Sequence, residues 1–145
     1  MSDPKLDNRK WHKEPNLIGD LKVGRKQRMR VLITGSREWR NYDAIYGQLA
    51  ALPKGTVIVH GAATGADHMA HSAALALGLK VEIHFPDYDR YPPSEAPKHR
   101  NAEMVALGAA LCLVFPTESS RGTWHCKRLA DEAGIETIVV EGDTE

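Results

Sequence analysis

From Arg30 onward the chain alternates short apolar, β-rich runs with stretches in which apolar residues recur at helical spacing, and glycine or proline marks each junction. The first run, Arg30-Val31-Leu32-Ile33-Thr34, ends at Gly35. Tyr42, Ile45, Leu49 and Leu52 then fall on one face of a 3.6-residue period, which predicts a helix over residues 42–52, stopped by Pro53 and Gly55. A second strand, Thr56 to His60, closes at Gly61. The next helix, residues 66–77, puts Ala66, Met69, Ala70, Ala73, Ala74 and Leu77 on one side, small enough to lie close against a sheet, and Gly78 caps it. Residues 80–85 predict a third strand and 86–93 an irregular aromatic loop. A third helix starts near Pro97, because proline is tolerated in a first turn, and runs to Leu107. Residues 110–115 are apolar throughout, as a strand covered on both faces would be. A fourth helix, 122–133, turns Cys126, Leu129, Ala130 and Ala133 inward, and residues 135–140 make the last strand.

Five strands separated by four helices imply an α/β fold: a Rossmann-like, doubly wound parallel sheet with right-handed crossovers and helices on both faces. The expected strand order is 3-2-1-4-5, which reverses direction between strands one and four. No internal repeat is visible.

Composition adds a division of the chain. The 145 residues carry a net charge of zero, yet residues 1–30 hold nine Lys/Arg against four Asp/Glu and the remainder ten against fifteen. A basic arm over residues 1–29, partly disordered, is therefore expected to precede one domain over 30–145; Trp11, Leu17, Ile18, Leu21 and Val23 give part of the arm something to pack with. Two cysteines, Cys112 and Cys126, not in a C-x-x-C pair, argue against a disulfide framework and for a reduced, cytoplasmic setting. No apolar run approaches the roughly 18 residues of a membrane span.

The topology sends three glycine- and hydroxyl-bearing loops to one rim. Strand one leaves through Gly35-Ser36-Arg37, strand two through Gly61-Ala62-Ala63-Thr64-Gly65-Ala66-Asp67, and strand four through Pro116-Thr117-Glu118-Ser119-Ser120-Arg121-Gly122-Thr123. Glycine lets backbone approach a ligand closely, and the amides at a helix start favour an anion. Hydroxyls can donate to phosphate oxygens, while arginine adds charge and a bidentate fork. The expected ligand is a phosphate-bearing nucleotide-type molecule. Neither G-x-G-x-x-G nor G-x-x-x-x-G-K-[ST] is present, so the site is not a dinucleotide fingerprint or a P-loop.

Residues 31–37, Val59-His60-Gly61-Ala62-Ala63-Thr64-Gly65-Ala66-Asp67, Arg100-Asn101-Ala102-Glu103-Met104 and Ser120-Arg121-Gly122-Thr123 resemble the YspA-type branch of the SLOG superfamily, which also holds the LOG phosphoribohydrolases and the Smf/DprA proteins. The match covers about residues 30–140. The resemblance implies a Rossmann-like fold that binds nucleotides or their derivatives and a bacterial or phage source. In LOG-type members an Arg from an R-x-x-x-M motif and a Glu from a P-G-G-x-G-T-x-E loop serve cleavage of a nucleotide's N-glycosidic bond. Arg100 with Met104 fits the first motif. The second is broken: His125 stands at the acidic position, and Ser119-Ser120-Arg121 replaces the double glycine. Histidine can act as a base but cannot offer a carboxylate's negative charge to an oxocarbenium-like transition state.

These readings define an expected ligand site of Gly35, Ser36, Arg37, Gly61, Ala62, Thr64, Gly65, Asp67, Arg100, Asn101, Ser119, Ser120, Arg121, Gly122 and Thr123. Arg100, His125 and Glu118 are the catalytic candidates if a bond is cleaved; Glu118 and Asp67 are the nearest substitutes for the missing carboxylate, although Asp67 at a helix start reads more often as a cap. No metal and no cofactor are expected: His68 with His71 and His125 with Cys126 lack an H-E-x-x-H pattern. His60 either lines the pocket or is a partly buried histidine bonded to a carbonyl. Tyr88 and Tyr91 either stack a base or cover the sheet edge, and Trp39 invites the same pair of readings; Trp124 is an interface or ligand residue. The favoured function is binding of a nucleoside phosphate, ADP-ribose or cyclic relative by a sensor or sequestering protein, as a homo-oligomer. The alternatives are LOG-like hydrolysis and single-stranded DNA binding through the basic arm.

Overall fold

The computed structural model describes residues 29–142, so the basic arm expected over residues 1–29 lies, but for residue 29, outside the described residues. The elements are β1 (Arg30–Gly35), α1 (Tyr42–Ala50), β2 (Val57–His60), α2 (Ala66–Ala76), β3 (Lys80–Ile83), α3 (Ala96–Ala106), β4 (Leu111–Phe115), α4 (Arg121–Glu132) and β5 (Thr137–Val139). All pairings are parallel and the order is β3-β2-β1-β4-β5, the Rossmann-like arrangement expected from the sequence.

Side chains alternate between the two faces of each strand, and β1 shows the division directly. Val31 and Ile33 join Ile45 and Leu49 of α1 and Ala70, Ala73 and Ala74 of α2 in one core layer. Leu32 joins Met104 and Val105 of α3 and Cys126 and Ala130 of α4 on the other face. Helix α2 comes close because its inward residues are alanines, and Gly35 completes the fit: a Cβ there would lie 2.4 Å from the Ala66 Cβ. Gly78, in the left-handed region at φ 75°, ends α2 as anticipated.

The differences lie at element ends. β3 stops at Ile83 rather than Phe85, and β5 is only three residues long. Ala133, expected inward, is the C-cap of α4 and is exposed. Arg30, a buried cation at the head of β1, is a feature the apolar pattern hid. Its Nη2 lies 2.7 Å from Glu82 Oε2 and its Nε 3.2 Å from Oε1, while Nη1 donates to the carbonyls of Leu107 (3.0 Å) and Gly108. Burial pushes the Glu82 carboxyl upward, but hydrogen bonds from His84 and Arg30 outweigh it and hold the group below its ordinary value. The pair ties β1, β3 and the end of α3 together.

Candidate functional site at the strand carboxyl ends

The three loops meet where the strand order reverses, and much of their polar chemistry is spent on one another. The Ser36 amide donates to Phe115 O at 2.9 Å, and Ser36 O accepts from the Ala66 amide at 3.0 Å. Ser36 Oγ accepts from the Glu38 amide (2.9 Å) and the Thr117 hydroxyl (2.7 Å), and the Thr117 amide donates to Ser120 Oγ at 2.7 Å. Ser36, Ser120 and Thr123 are accordingly buried, whereas Arg37, Thr64, Ser119, Arg121 and Gly122 are not. Above this stitching a groove of about 990 Å³ runs between residues 37–40 and residues 116–119, with Arg37 and Arg40 on one lip and Glu118 and Ser119 on the other.

The glycines of the second loop answer to packing. Gly65 sits at φ 75°, and a Cβ there would meet the carbonyl oxygens of Arg37 at 2.3 Å and Ser36 at 2.4 Å. Gly61 makes room for Arg100, whose Nη1 would lie 2.3 Å from an added Cβ. Arg100 Nη1 donates to the Gly61 carbonyl and its Nε to Asn101 Oδ1 at 2.8 Å. Asn101 in turn sits 3.3 Å from His125 Nδ1. The amides expected to hold a phosphate have an internal anion: Asp67 Oδ2 accepts from Gly61 N (3.0 Å) and Ala63 N (3.3 Å). Asp67 is not the N-cap of α2; that position is Gly65, which offers no side chain. Burial lifts the Asp67 carboxyl to about 6, against the opposing pull of Arg100 and the two amides. Its Oδ1 is buried and has no hydrogen-bond partner among the described residues. Ala62, between these amides, holds a left-handed φ of 64°, a conformation that costs a non-glycine residue on the order of 1 kcal/mol or more.

His60 is fully buried, so it does not line a pocket; its partner is an amide, not the carbonyl expected. Nδ1 accepts from Ala62 N at 2.9 Å, which places the proton on Nε2, and Nε2 then donates to His71 Nδ1 at 3.1 Å. Burial, with His71 next, holds His60 well below the ordinary histidine value, consistent with this neutral form. Trp39 is buried, edge-on to Phe115 at 5.4 Å, and its Nε1 donates to Asn41 O. Tyr88 is exposed, and Tyr91 stacks on His99 with ring centroids 3.7 Å apart. Trp124 is partly exposed on α4.

The expected residues thus divide. Arg37, Glu118 and Ser119 share the groove; Gly61, Asp67, Arg100, Asn101 and His125 form a second cluster linked by hydrogen bonds between α2, α3 and α4. Of the candidates for the absent glutamate's task, Glu118 lines the groove, while Asp67 and His125 stand in the second cluster. Burial followed by the charges of Arg128 and Lys98 lowers the His125 value, favouring the neutral base. Among the described residues no group of three or more His, Cys, Asp or Glu is arranged to hold a metal ion, and no helix is long and apolar enough to cross a membrane.

The sheet order and the loop rim define a Rossmann-like α/β domain of the kind whose ligands sit beyond the strand carboxyl ends. Residues 29–91 match the family model described as the YspA, cpYpsA-related SLOG family. The Gene 61 protein of Mycobacterium phage D29 is 44% identical over 118 residues, a match spanning 75% of this chain and 94% of that protein. The chain belongs to the YspA-related SLOG family. Its fold is also that of the DNA processing protein A (DprA) of Streptococcus pneumoniae, with a TM-score of 0.65 at 21% identity; the match covers 78% of this chain and half of that one.

Proposed function

We propose that the protein binds a nucleotide or nucleotide-derived ligand, of the nucleoside phosphate, ADP-ribose or cyclic class, at the carboxyl ends of β1, β2 and β4, as a sensor or sequestering protein. The observation that carries this reading is the groove at the point of strand-order reversal, large enough for such a ligand and lipped by Arg37 and Arg40. Membership of the SLOG family supports it. Because Asp67 occupies the amides of Gly61 and Ala63, the phosphate is held by the Arg37 lip and by the exposed start of α4, where Arg121, Gly122 and the first-turn backbone stand. Arg100 and Asn101, expected in the same site, do not line this groove. The same reading places a nucleotide-binding domain at residues 30–145 behind a basic arm, in a reducing compartment that keeps Cys112 and Cys126 as the buried free thiols seen here.

The experiment is mass spectrometry of small molecules released on denaturing freshly purified protein, followed by incubation of native protein with whatever is found. An intact nucleotide derivative that survives incubation supports binding; the absence of any nucleotide, together with no calorimetric binding of adenosine 5′-monophosphate, overturns it.

One observation favours a second reading, hydrolysis of the N-glycosidic bond: a buried carboxylate, Asp67, is electrostatically coupled to Arg100 in the cluster that also holds His125. Release of free base and sugar phosphate would establish that reading, with Asp67, rather than Glu118, supplying the negative charge. The fold shared with DprA and the basic arm support a third, single-stranded DNA binding, which predicts affinity that collapses with salt.

A further inference from the structure

Between the loop after β3 and the first turns of α3 lies a second cavity of about 410 Å³, and none of the residues lining it also lines the groove. Phe85, Arg90 and Tyr91 face it from the loop, and His99, Arg100 and Glu103 from the helix. The loop is built rather than loose. Asp87 Oδ1 accepts from the amides of Asp89 (3.2 Å) and Arg90 (3.1 Å), and Asp87 O accepts from the Tyr91 amide at 3.0 Å. That turn lays the Tyr91 ring on His99, 3.7 Å between centroids and 10° from parallel, with the Arg90 guanidinium 5.5 Å from the Tyr91 ring.

The lining carries two arginines and two acids, and the acids are turned to partners of their own. Of its two acids, Asp87 is engaged by the turn it organises, and Glu103 Oε1 sits 3.5 Å from His84 Nδ1. Arg100 is oriented by the Gly61 carbonyl and by Asn101 Oδ1, which use two of the five donors a guanidinium carries. The remaining donors are available to a ligand, and Arg90 lines the same cavity. A stacked ring pair beside two arginines suits a flat, anionic guest, because aromatic contact and bidentate charge-assisted bonds act on different parts of it.

We infer that this cavity is a second binding site, taking a planar heteroaromatic ring that carries an anionic group, with the ring against the Tyr91–His99 stack and the anion toward Arg90 and Arg100. Its volume lies within the range of about 300–1,000 Å³ typical of small-molecule sites, and at the small end, which suits one ring system rather than a dinucleotide. The site does not depend on the groove: a ring with a carboxylate and no phosphate satisfies it.

The test uses the full chain labelled with 13C in tyrosine and histidine side chains, titrated with orotate, a pyrimidine carboxylate. Saturable shifts of the Tyr91 and His99 resonances are expected, weakened at least about tenfold by Tyr91→Leu or His99→Leu and unaltered by Arg37→Ala. Ribose 5-phosphate, which has the anion but no ring, should leave those resonances in place. An unaltered thermal midpoint in either of the two stack variants shows that the fold survives. Failure of orotate to shift Tyr91 and His99 in the unsubstituted protein overturns the inference, as does an equal response to ribose 5-phosphate. Adenosine 5′-monophosphate binding that is sensitive to Arg37→Ala without any orotate response would overturn this inference and leave the groove reading standing; an orotate response without nucleotide binding would do the reverse.

Discussion

Asp67 and a ligand phosphate would compete for the same two amides, and in the folded chain the carboxylate holds them. The cost is a buried acid whose folded value, about 6, exceeds its ordinary one. A carboxyl raised on folding stabilises the native state while protonated, so its contribution is complete below about pH 4 and is lost as pH rises to about 6. The shift corresponds to roughly 3 kcal/mol at most. Asp67→Asn keeps an oxygen for Gly61 and Ala63 without the charge. Relative to the unsubstituted chain, its stability in urea should rise between pH 4 and pH 7 by up to that amount; parallel pH profiles would refute the assignment. The glycines permit a sharper contrast. Gly61→Ala meets the Arg100 side chain from Cδ to Nη1 and no backbone, so it should leave the fold within about 1 kcal/mol of the original while weakening orotate binding at the second cavity as much as Arg100→Ala, at least about tenfold in calorimetry. Gly65→Ala meets backbone on both counts, space and φ, and should cost about 2 kcal/mol or more in denaturant. These residues were legible in the sequence as positions but not as purposes. Gly35 and Gly65 stand out in any reading of the chain, yet what they make room for, Ala66 and the Arg37 carbonyl, is fixed only when non-adjacent loops meet.

At the scale of elements, periodicity located every strand and helix because each has an apolar face that must be covered, and the ends wandered because terminal residues carry little of that signal. Phe85 reads as strand and lies beyond it; Ala133 reads as core and caps α4. The polar link between β1 and β3 was invisible for a related reason: Arg30 and Glu82 are 52 residues apart, and each alone resembles a solvated charge. Removing one member of a buried pair strands the other. Glu82→Gln should therefore destabilise by about 3 kcal/mol at pH 7, read from the urea midpoint, and the difference should shrink as pH falls below about 4.5, where the native carboxyl also protonates and its depressed value no longer contributes. A constant difference across that window would show that packing rather than charge is responsible.

For the whole molecule, strand order is what gathers residues from positions 35 to 125 onto one rim, and order was deducible because right-handed crossovers with helices on two faces leave few alternatives. The partition of that rim into a groove and a separate arginine cluster was not, since it depends on side chains that reach sideways between α2, α3 and α4. Removing residues 1–29 should leave nucleotide affinity within about twofold while abolishing any salt-sensitive binding of single-stranded DNA. Loss of nucleotide affinity in that truncated chain would join the arm to the pocket.

The hydroxyl stitching of Ser36, Thr117 and Ser120 carries a different implication. Two lips fastened to each other beneath the surface have a fixed gauge, so the exposed positions between them can be rewritten without resetting the width of the slot. Arg37, Glu118 and Ser119 then behave as interchangeable fittings on a rigid frame, and the chemistry of the slot can be changed through its trim while its chassis stays as it is.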